Sequence, residues 1–360
     1  MTENPQSARL QSIDVVRGLT VLAMMFVNDL AGVTGVPAWL KHIQPSRSDG
    51  MTLVDVVFPA FLFIVGLAIP FALEARQSRG ESLWGVWRHV LARVAGLLVI
   101  GVFMVNNPAS EGAALDPDIW RLLMYAGVLV AWNDWGEPGR RRWLLRGLGA
   151  AILVVAAVLY RGKGDPAFIE LRTQWWGILG LIGWAYLVGC AAYTLCRRDL
   201  GLMVGAIGLL YSVYLAAGMG YFDGLWITQY VGIGSALGSH GAITVAGVVL
   251  GTMLGPRSPL GTHGSRIGWG ILFAAGLAAA GILLHTLHDV HRMFIFNKNA
   301  ATPPWCLVSS AITAALWVAV YWLVDARGWR RWTAVVEPAG RNALFAYILA
   351  PILYALFPLL

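Results

Sequence analysis

The sequence predicts an all-α fold: a polytopic integral membrane protein of about 11 transmembrane helices in one bundle. Three observations predict it. Of 360 residues, 58% are hydrophobic and only 12% are charged, whereas about a quarter of a soluble domain is charged. Apolar runs of about 20 residues, the length that crosses a hydrocarbon core, recur from end to end. Arginines gather in the short segments between those runs, where they set topology. The alternating strands of an outer-membrane barrel are absent. No stretch is left over for a soluble domain, so residues 1–360 are expected to form a single transmembrane domain.

Taken in order, the expected spans lie near 15–35, 53–74, 84–105, 118–134, 143–160, 176–196, 200–219, 241–255, 267–288, 304–325 and 338–358. The first follows MTENPQSARLQ, which lacks the basic start of a cleaved signal, and the span keeps its own charges. It is therefore expected to be a retained helix. The second begins at Thr52-x-x-Asp55, the signature of a capping box. Pro59, Pro70 and Pro351 mark candidate kinks. The fourth and eighth spans are short. The 42 glycines suit helices that pack closely through small residues.

A cytoplasmic N-terminus puts most basic residues inside: Arg9, Arg17, Arg76, Arg79, Arg88, Arg93, the cluster Arg140, Arg141, Arg142 and Arg146, then Arg197, Arg198, Arg257, Arg266, Arg327, Arg330, Arg331 and Arg341. Outside remain Lys41, Arg47, Arg121, Arg161, Lys163, Arg172, Arg292 and Lys298. The net charge of +7 is thus a topology signal and does not point to nucleic acid. Cys190, Cys196 and Cys306 have no paired spacing and read as small core residues, without a disulfide framework or a metal cluster.

The chemistry concentrates in residues 14–66. Asp14 and Arg17 open the first span, three apart on one helical face, and an ion pair accounts for them. Asn28 closes that span, where an unpaired amide is penalised. It serves either as interhelical glue or as a donor to an oxyanion and an anchor for His42. His42 follows Lys41 in the outer loop. It is either a solvated loop histidine or a group that takes a proton or an acyl group. Asp55 either caps its helix or pairs with an imidazolium or a substrate ammonium.

Further on, His285, His288 and His291 surround Asp289 at the outer end of the ninth span. On a continuous helix the first and third drift apart around the cylinder, which disfavours a metal site and favours packing or sugar contacts. Asn297, Lys298 and Asn299 sit in a polar loop suited to hydrogen-bonding a sugar, or in a plain turn. Trp175, Trp176 and Trp305 fit an interfacial aromatic belt better than a sugar platform. On the inner side Arg17, Arg88, Arg93, Arg266 and Arg341 are candidates for nucleotide phosphates, beside the plainer reading as topology arginines. There is no P-loop, no GxSxG and no dinucleotide fingerprint.

An ordered set of segments then carries a resemblance: RLQSIDVVRGLTVLAMMFVN, KH, DGMTLVDVVFPAFLFIVG, LLVIGVFMVNNP, LRTQWWGILGLIGWAYL, FNKNAATPPW and PAGRNALFAYIL. It resembles the transmembrane acetyltransferases related to heparan-α-glucosaminide N-acetyltransferase, in particular their bacterial DUF5009-like, NagX-type members. The resemblance implies transfer of an acetyl group from cytosolic acetyl-CoA to an amino sugar of the glucosamine type across a bacterial inner membrane. It implies His42 as general base or acetyl acceptor, with Asn28 and Asp55 as its catalytic companions. Candidate sugar contacts are Asn297, Lys298, Asn299, His288 and Trp175. Candidate acetyl-CoA contacts are Arg17, Arg88, Arg93, Arg266, Arg341 and Asn342. No metal is called for, the partners are the two substrates and the lipid bilayer, and a homodimer is compatible with the sequence. The family pattern is not followed throughout: the loop from His42 to Asp55 is longer here, and the spans near 118–134 and 143–160 look like an insertion. Two rival functions use the same polar residues: an amino-sugar transporter, and an O-acyltransferase of a surface polysaccharide.

Overall fold

A computed structural model describes residues 10–106, 108, 115–137, 139–162, 168–255 and 258–360. Arg9, Asn107, Lys163 and Arg257 of the sequence reading lie outside them. Among the described residues there are helices and connecting segments and no strand. The helices are α1 (Gln11–Leu30), α2 (Leu53–Gln77), α3 (Leu83–Val105), α4 (Pro117–Trp132), α5 (Arg140–Leu159), α6 (Gly177–Leu195), α7 (Leu200–Gly218), α8 (His240–Leu254), α9 (His263–His285), α10 (Pro303–Tyr321), α11 (Thr333–Arg341) and α12 (Ala343–Leu356). A π-helical stretch, Ile233–Ser239, runs directly into α8, and another, Trp322–Ala326, extends α10.

Eight described helices are long and apolar enough to cross a bilayer, and α11 with α12 makes a ninth if the pair counts as one span. The protein is a multi-pass membrane protein. Two expected spans fall outside that set for physical reasons. Helix α1 carries Asp14, Arg17 and Asp29 within 20 residues, and α4 has only 16 residues. The expected straight span 338–358 is instead bent by 91° between α11 and α12. Pro338 withholds a backbone donor inside α11, and Asn342 leaves helical geometry at φ −119°, ψ 49°. Pro59 and Pro70, by contrast, sit within an unbroken α2.

The chain forms two compact units, Met1–Ala92 with Trp184–Ala343, and Arg93–Gly183 with Leu344–Leu360. In the first, α1 packs on α2, α10 and α11, α2 packs on α8 and α10, and α9 packs on α10. Two crossings depend on glycine. A Cβ on Gly340 would lie 1.9 Å from the Asp14 carbonyl oxygen, and one on Gly18 would lie 2.2 Å from that of Val336. Between α2 and α8, Gly66 and Gly247 each leave no room for a side chain against the facing backbone. Backbones this close gain dispersion contacts that larger residues would forbid. The start of α1 is capped from far along the chain: Asp325 accepts from the Gln11 and Ser12 amides at 3.2 and 3.1 Å. Gln11 donates in turn to Glu337 at 2.8 Å.

In the second unit α4 and α5 form an antiparallel pair, fastened where the Trp120 indole donates to the Ala156 carbonyl at 2.8 Å. Asn106 grips the backbone of Arg172, donating to its carbonyl at 2.8 Å and accepting from its amide at 3.2 Å.

Candidate active site

One end of the first unit gathers the polar residues that the apolar helices exclude. The link between α1 and α2 and the link between α9 and α10 meet there and are tied backbone to backbone, with the Gly50 amide donating to the Phe296 carbonyl at 2.9 Å. Asn297 is buried, and its amide donates to the carbonyls of Ser46 and Ser48, both at 3.0 Å. Its side-chain oxygen accepts from the Ala300 amide at 2.9 Å. Asn299 adds a donation to Ser46 at 3.1 Å. Asn297 therefore spends its whole amide group on holding the loop, and Asn299 adds one N–H to it.

The loop so held presents His42. Its Nδ1 is 2.7 Å from Oδ1 of Asp55, with the imidazole side chain 44% exposed and the carboxylate 1% exposed. Asp55 occupies the third position of α2, where the positive helix end favours an anion. Its second oxygen accepts from the Thr52 and Ile43 amides at 3.0 and 3.2 Å. Thr52 Oγ1 lies 3.1 Å from that oxygen and 2.7 Å from the Lys41 carbonyl. It has one hydrogen, and the shorter contact takes it. The Trp305 indole donates to the Asp55 carbonyl at 3.2 Å, fixing the helix end against α10. The two sequence readings of Asp55 are thus both present, one on each oxygen: helix cap and histidine partner.

This arrangement determines the tautomer. A carboxylate with two amides on one oxygen offers the other as an acceptor, so His42 carries its proton on Nδ1 and leaves the Nε2 lone pair outward. Lys298 Nζ lies 3.2 Å from both ring nitrogens. Equal distances put it on the bisector of the two nitrogens, and in the ring plane that position would press on Cε1. The amine therefore rests over the ring face, where a cation is attracted, and the in-plane direction of Nε2 stays open to a ligand. Burial pushes the Lys298 ammonium below the usual lysine range, with Asp55 pulling the other way.

Beneath this pair is an apolar floor. Phe58, one turn on from Asp55, meets the buried His240 ring edge-on at 5.3 Å between centroids. His240 opens α8 at the end of the π-helical stretch, a backbone form that recurs at functional sites. Its Nδ1 finds no hydrogen-bond partner among the described residues.

A second histidine–aspartate pair flanks the first. His285 Nε2 is 2.7 Å from Asp49 Oδ2. Asp49 also accepts from the Phe296 amide at 2.8 Å. The His285 ring stacks on Phe296 at 4.2 Å and on His288 at 4.9 Å. His285, His288 and His291 do not share one helical cylinder, contrary to what their spacing suggests, because α9 ends at His285. His288 folds back to the His285 carbonyl at 2.9 Å instead.

The other candidates are dispersed. Asn28 is exposed near the end of α1, and its side chain makes no hydrogen bond with a described residue. The tautomer of His42 is set by Asp55, and Asn28 is not needed for that. Trp305 is fully buried, so its place in an aromatic belt is corrected: its indole needs the Asp55 carbonyl. Trp175 is exposed and belongs to the second unit. At the opposite end of α1, Arg17 lies 3.2 Å from Asp14 and 3.4 Å from the Gly340 carbonyl. Arg341 pairs with Glu337, and Asn342 stands at the bend. Arg88 and Arg93 are exposed on α3. Arg266 is wholly buried, bonded to the Leu260 carbonyl at 3.1 Å and to Tyr321. Asp49, Phe296 and His240 escaped the sequence reading. The Asp49-Gly50 turn dipeptide was the one available signal.

The fold and site together define a multi-pass membrane protein with a carboxylate-oriented imidazole at one end of its helices. A family model described as "Domain of unknown function (DUF5009)" matches residues 9–221, and the chain belongs to that family. It is also similar to heparan-alpha-glucosaminide N-acetyltransferase of Mus musculus, 32% identical over 128 residues, which is 36% of this chain and 18% of that protein. The Homo sapiens protein of the same name is 31% identical over 121 residues, 34% of this chain and 17% of its own length. The matches thus span less than a fifth of these curated relatives.

Proposed function

We propose that this protein is a transmembrane acetyltransferase, passing an acetyl group from acetyl-CoA on the cytoplasmic side to the amino group of a glucosamine-type hexosamine on the other. The observation that carries the reading is His42, held at Nδ1 by a buried carboxylate, with Nε2 spared by that carboxylate and 3.2 Å from Lys298 Nζ. The similarity to two N-acetyltransferases supports the reaction class. His42 Nε2 takes the proton of the attacking amine, or itself accepts the acetyl group. Asp55 is a positioning residue that holds the ring and compensates the imidazolium when it forms. The Lys298 ammonium, over the ring, stabilises the oxyanion of the tetrahedral intermediate, and the uncommitted Asn28 amide adds a second donor. Asn297 and Asn299 keep the loop in place, and His288 offers a surface for the sugar.

Acetyl-CoA enters from the opposite end of α1, where Arg17, Arg341 and Asn342 come together at the crossing with α11. The N-terminus is cytoplasmic, the host membrane is a bacterial inner membrane, and both units act as one acyltransferase domain. Arg88, exposed on α3, remains accessible to the phosphates, whereas Arg266 serves the interior.

The test is acetyl-CoA turnover by purified protein in detergent, with glucosamine and with N-acetylglucosamine, wild type against His42→Ala. CoA release that requires the free amine and disappears in the variant is the expected result. Sugar binding without any CoA binding or release would replace this reading with an amino-sugar transporter. Release driven by a saccharide hydroxyl would replace the acceptor with a surface polysaccharide.

A further inference from the structure

Lys298 is a primary amine resting against the histidine that the reading above assigns to acyl transfer. We propose that Lys298 is a self-acetylation site: when no acceptor sugar is present, the acetyl group passes to its Nζ and caps the site. The inference rests on the acyl-transfer reading and adds a modification to it.

Three observations carry it. Nζ lies 3.2 Å from both nitrogens of His42 and so stands over the ring face. An acyl group at Nε2 lies close to the ring plane, and a nucleophile adds to a carbonyl from above its plane, so the amine is on the side of attack. The reaction asks for an amine acceptor, and Nζ is an amine of the same chemical class as that of an amino sugar. The neighbours of Lys298 are fixed, Asn297 to Ser46 and Ser48 and Asn299 to Ser46, so the side chain starts from a backbone that cannot swing away. Burial, which disfavours the ammonium, enlarges the reactive free-amine fraction as well.

The step balances with acetyl-CoA alone. The ammonium first releases one proton to solvent. His42 Nε2 takes the acetyl group from the thioester, whose C–S bond breaks to release CoA thiolate; the free amine then attacks that carbonyl, the Nζ–C bond forms and the C–Nε2 bond breaks. The second proton leaves Nζ by way of His42 Nε2 and ends on the CoA thiolate, giving CoA thiol and a lysine amide. The product is neutral and bulkier, so it withdraws the positive charge over the imidazole and fills the space an acceptor amine must enter.

The sequence contains three lysines, Lys41, Lys163 and Lys298, so two serve as internal controls. The full-length protein in detergent is incubated with isotope-labelled acetyl-CoA, with or without glucosamine, then digested and read by mass spectrometry. Expected is label on Lys298 about a hundredfold above either other lysine, the low end of general-base assistance. It should be abolished in His42→Ala and diverted by glucosamine. Equal label on the three lysines, or unchanged label in His42→Ala, overturns the proposal. Glucosamine-driven CoA release with Lys298 unlabelled overturns it alone, and absence of both release and label removes the acyl-transfer reading with it. If His42→Ala fails to fold, the ratio among the three wild-type lysines gives the answer, with Lys298→Arg as the blank for the modified peptide.

Discussion

His42–Asp55 and His285–Asp49 are the same pair on paper: an imidazole nitrogen 2.7 Å from a carboxylate oxygen. Their surroundings separate them. Asp55 is 1% exposed and saturated by backbone amides, whereas Asp49 is 34% exposed. The His42 pair engages Nδ1 and leaves Nε2 outward beside a cation. The His285 pair engages Nε2 and sandwiches the ring between Phe296 and His288. A hydrogen bond in the low-dielectric interior orients a ring strongly, while an exposed ion pair is worth about 0–1 kcal/mol. The separation between two atoms thus says little about what a pair does. What decides is how far water reaches and which atom is left over.

The comparison can be broken first at Asp55. In Asp55→Asn one carboxylate oxygen becomes an amide NH2 group, which faces either the Nδ1 proton of His42 or the amides of Thr52 and Ile43. A donor then meets a donor in either orientation. Acetyl transfer is expected to fall by about a factor of 10²–10⁴, and stability by about 1–3 kcal/mol. Turnover and thermal unfolding in detergent check the two effects separately, and a variant with wild-type turnover would strip Asp55 of its positioning role.

Asn297→Ala removes two donors from the Ser46 and Ser48 carbonyls at once. The loop that carries His42 loosens, with a loss of about 1–3 kcal/mol in stability and a lower kcat. Limited proteolysis between residues 43 and 50 should accelerate in this variant.

Asp49→Asn tests the other pair. A change under about 1 kcal/mol is expected, with turnover close to wild type. A loss comparable to that in Asp55→Asn would erase the distinction drawn between the two pairs.

The smallest signal is a slope. Lys298 has a folded-state pKa below the ordinary 10.5, so the unfolded chain binds the extra proton as pH rises between the two values. Stability relative to Lys298→Met should therefore increase with pH through that window and level off above it. Unfolding midpoints of the two proteins across alkaline pH measure this, and parallel curves would mean that the amine is not desolvated.

Much of the fold was legible in the sequence because burial in lipid demands long apolar runs: α2, α3, α6, α7 and α9 lie where those runs were read. The bend at Asn342 was not, since Pro338 marks a weakened helix without marking where the chain turns, four residues later at Asn342. The capping box at Thr52 and Asp55 is local and could be read directly. Lys298 over His42 spans 256 positions, and no local pattern announces such a contact. Asn297 and Asn299 looked like sugar ligands because their amides suit sugars. Amides suit loop carbonyls equally well, and only the partner tells the two apart. Trp305 shows the same limit, since an indole fits a membrane interface or a buried carbonyl with equal ease.

The cap that Asp325 places on α1 has a consequence for biosynthesis. The amide of Gln11 waits for an acceptor 314 residues downstream, and Gly18 waits for the backbone of Val336. At about 5–20 residues per second, that partner follows by roughly a quarter of a minute to a minute. Through that interval α1 has neither its cap nor its closest neighbour, so it must be sheltered by lipid or an insertion partner until α11 arrives to close it.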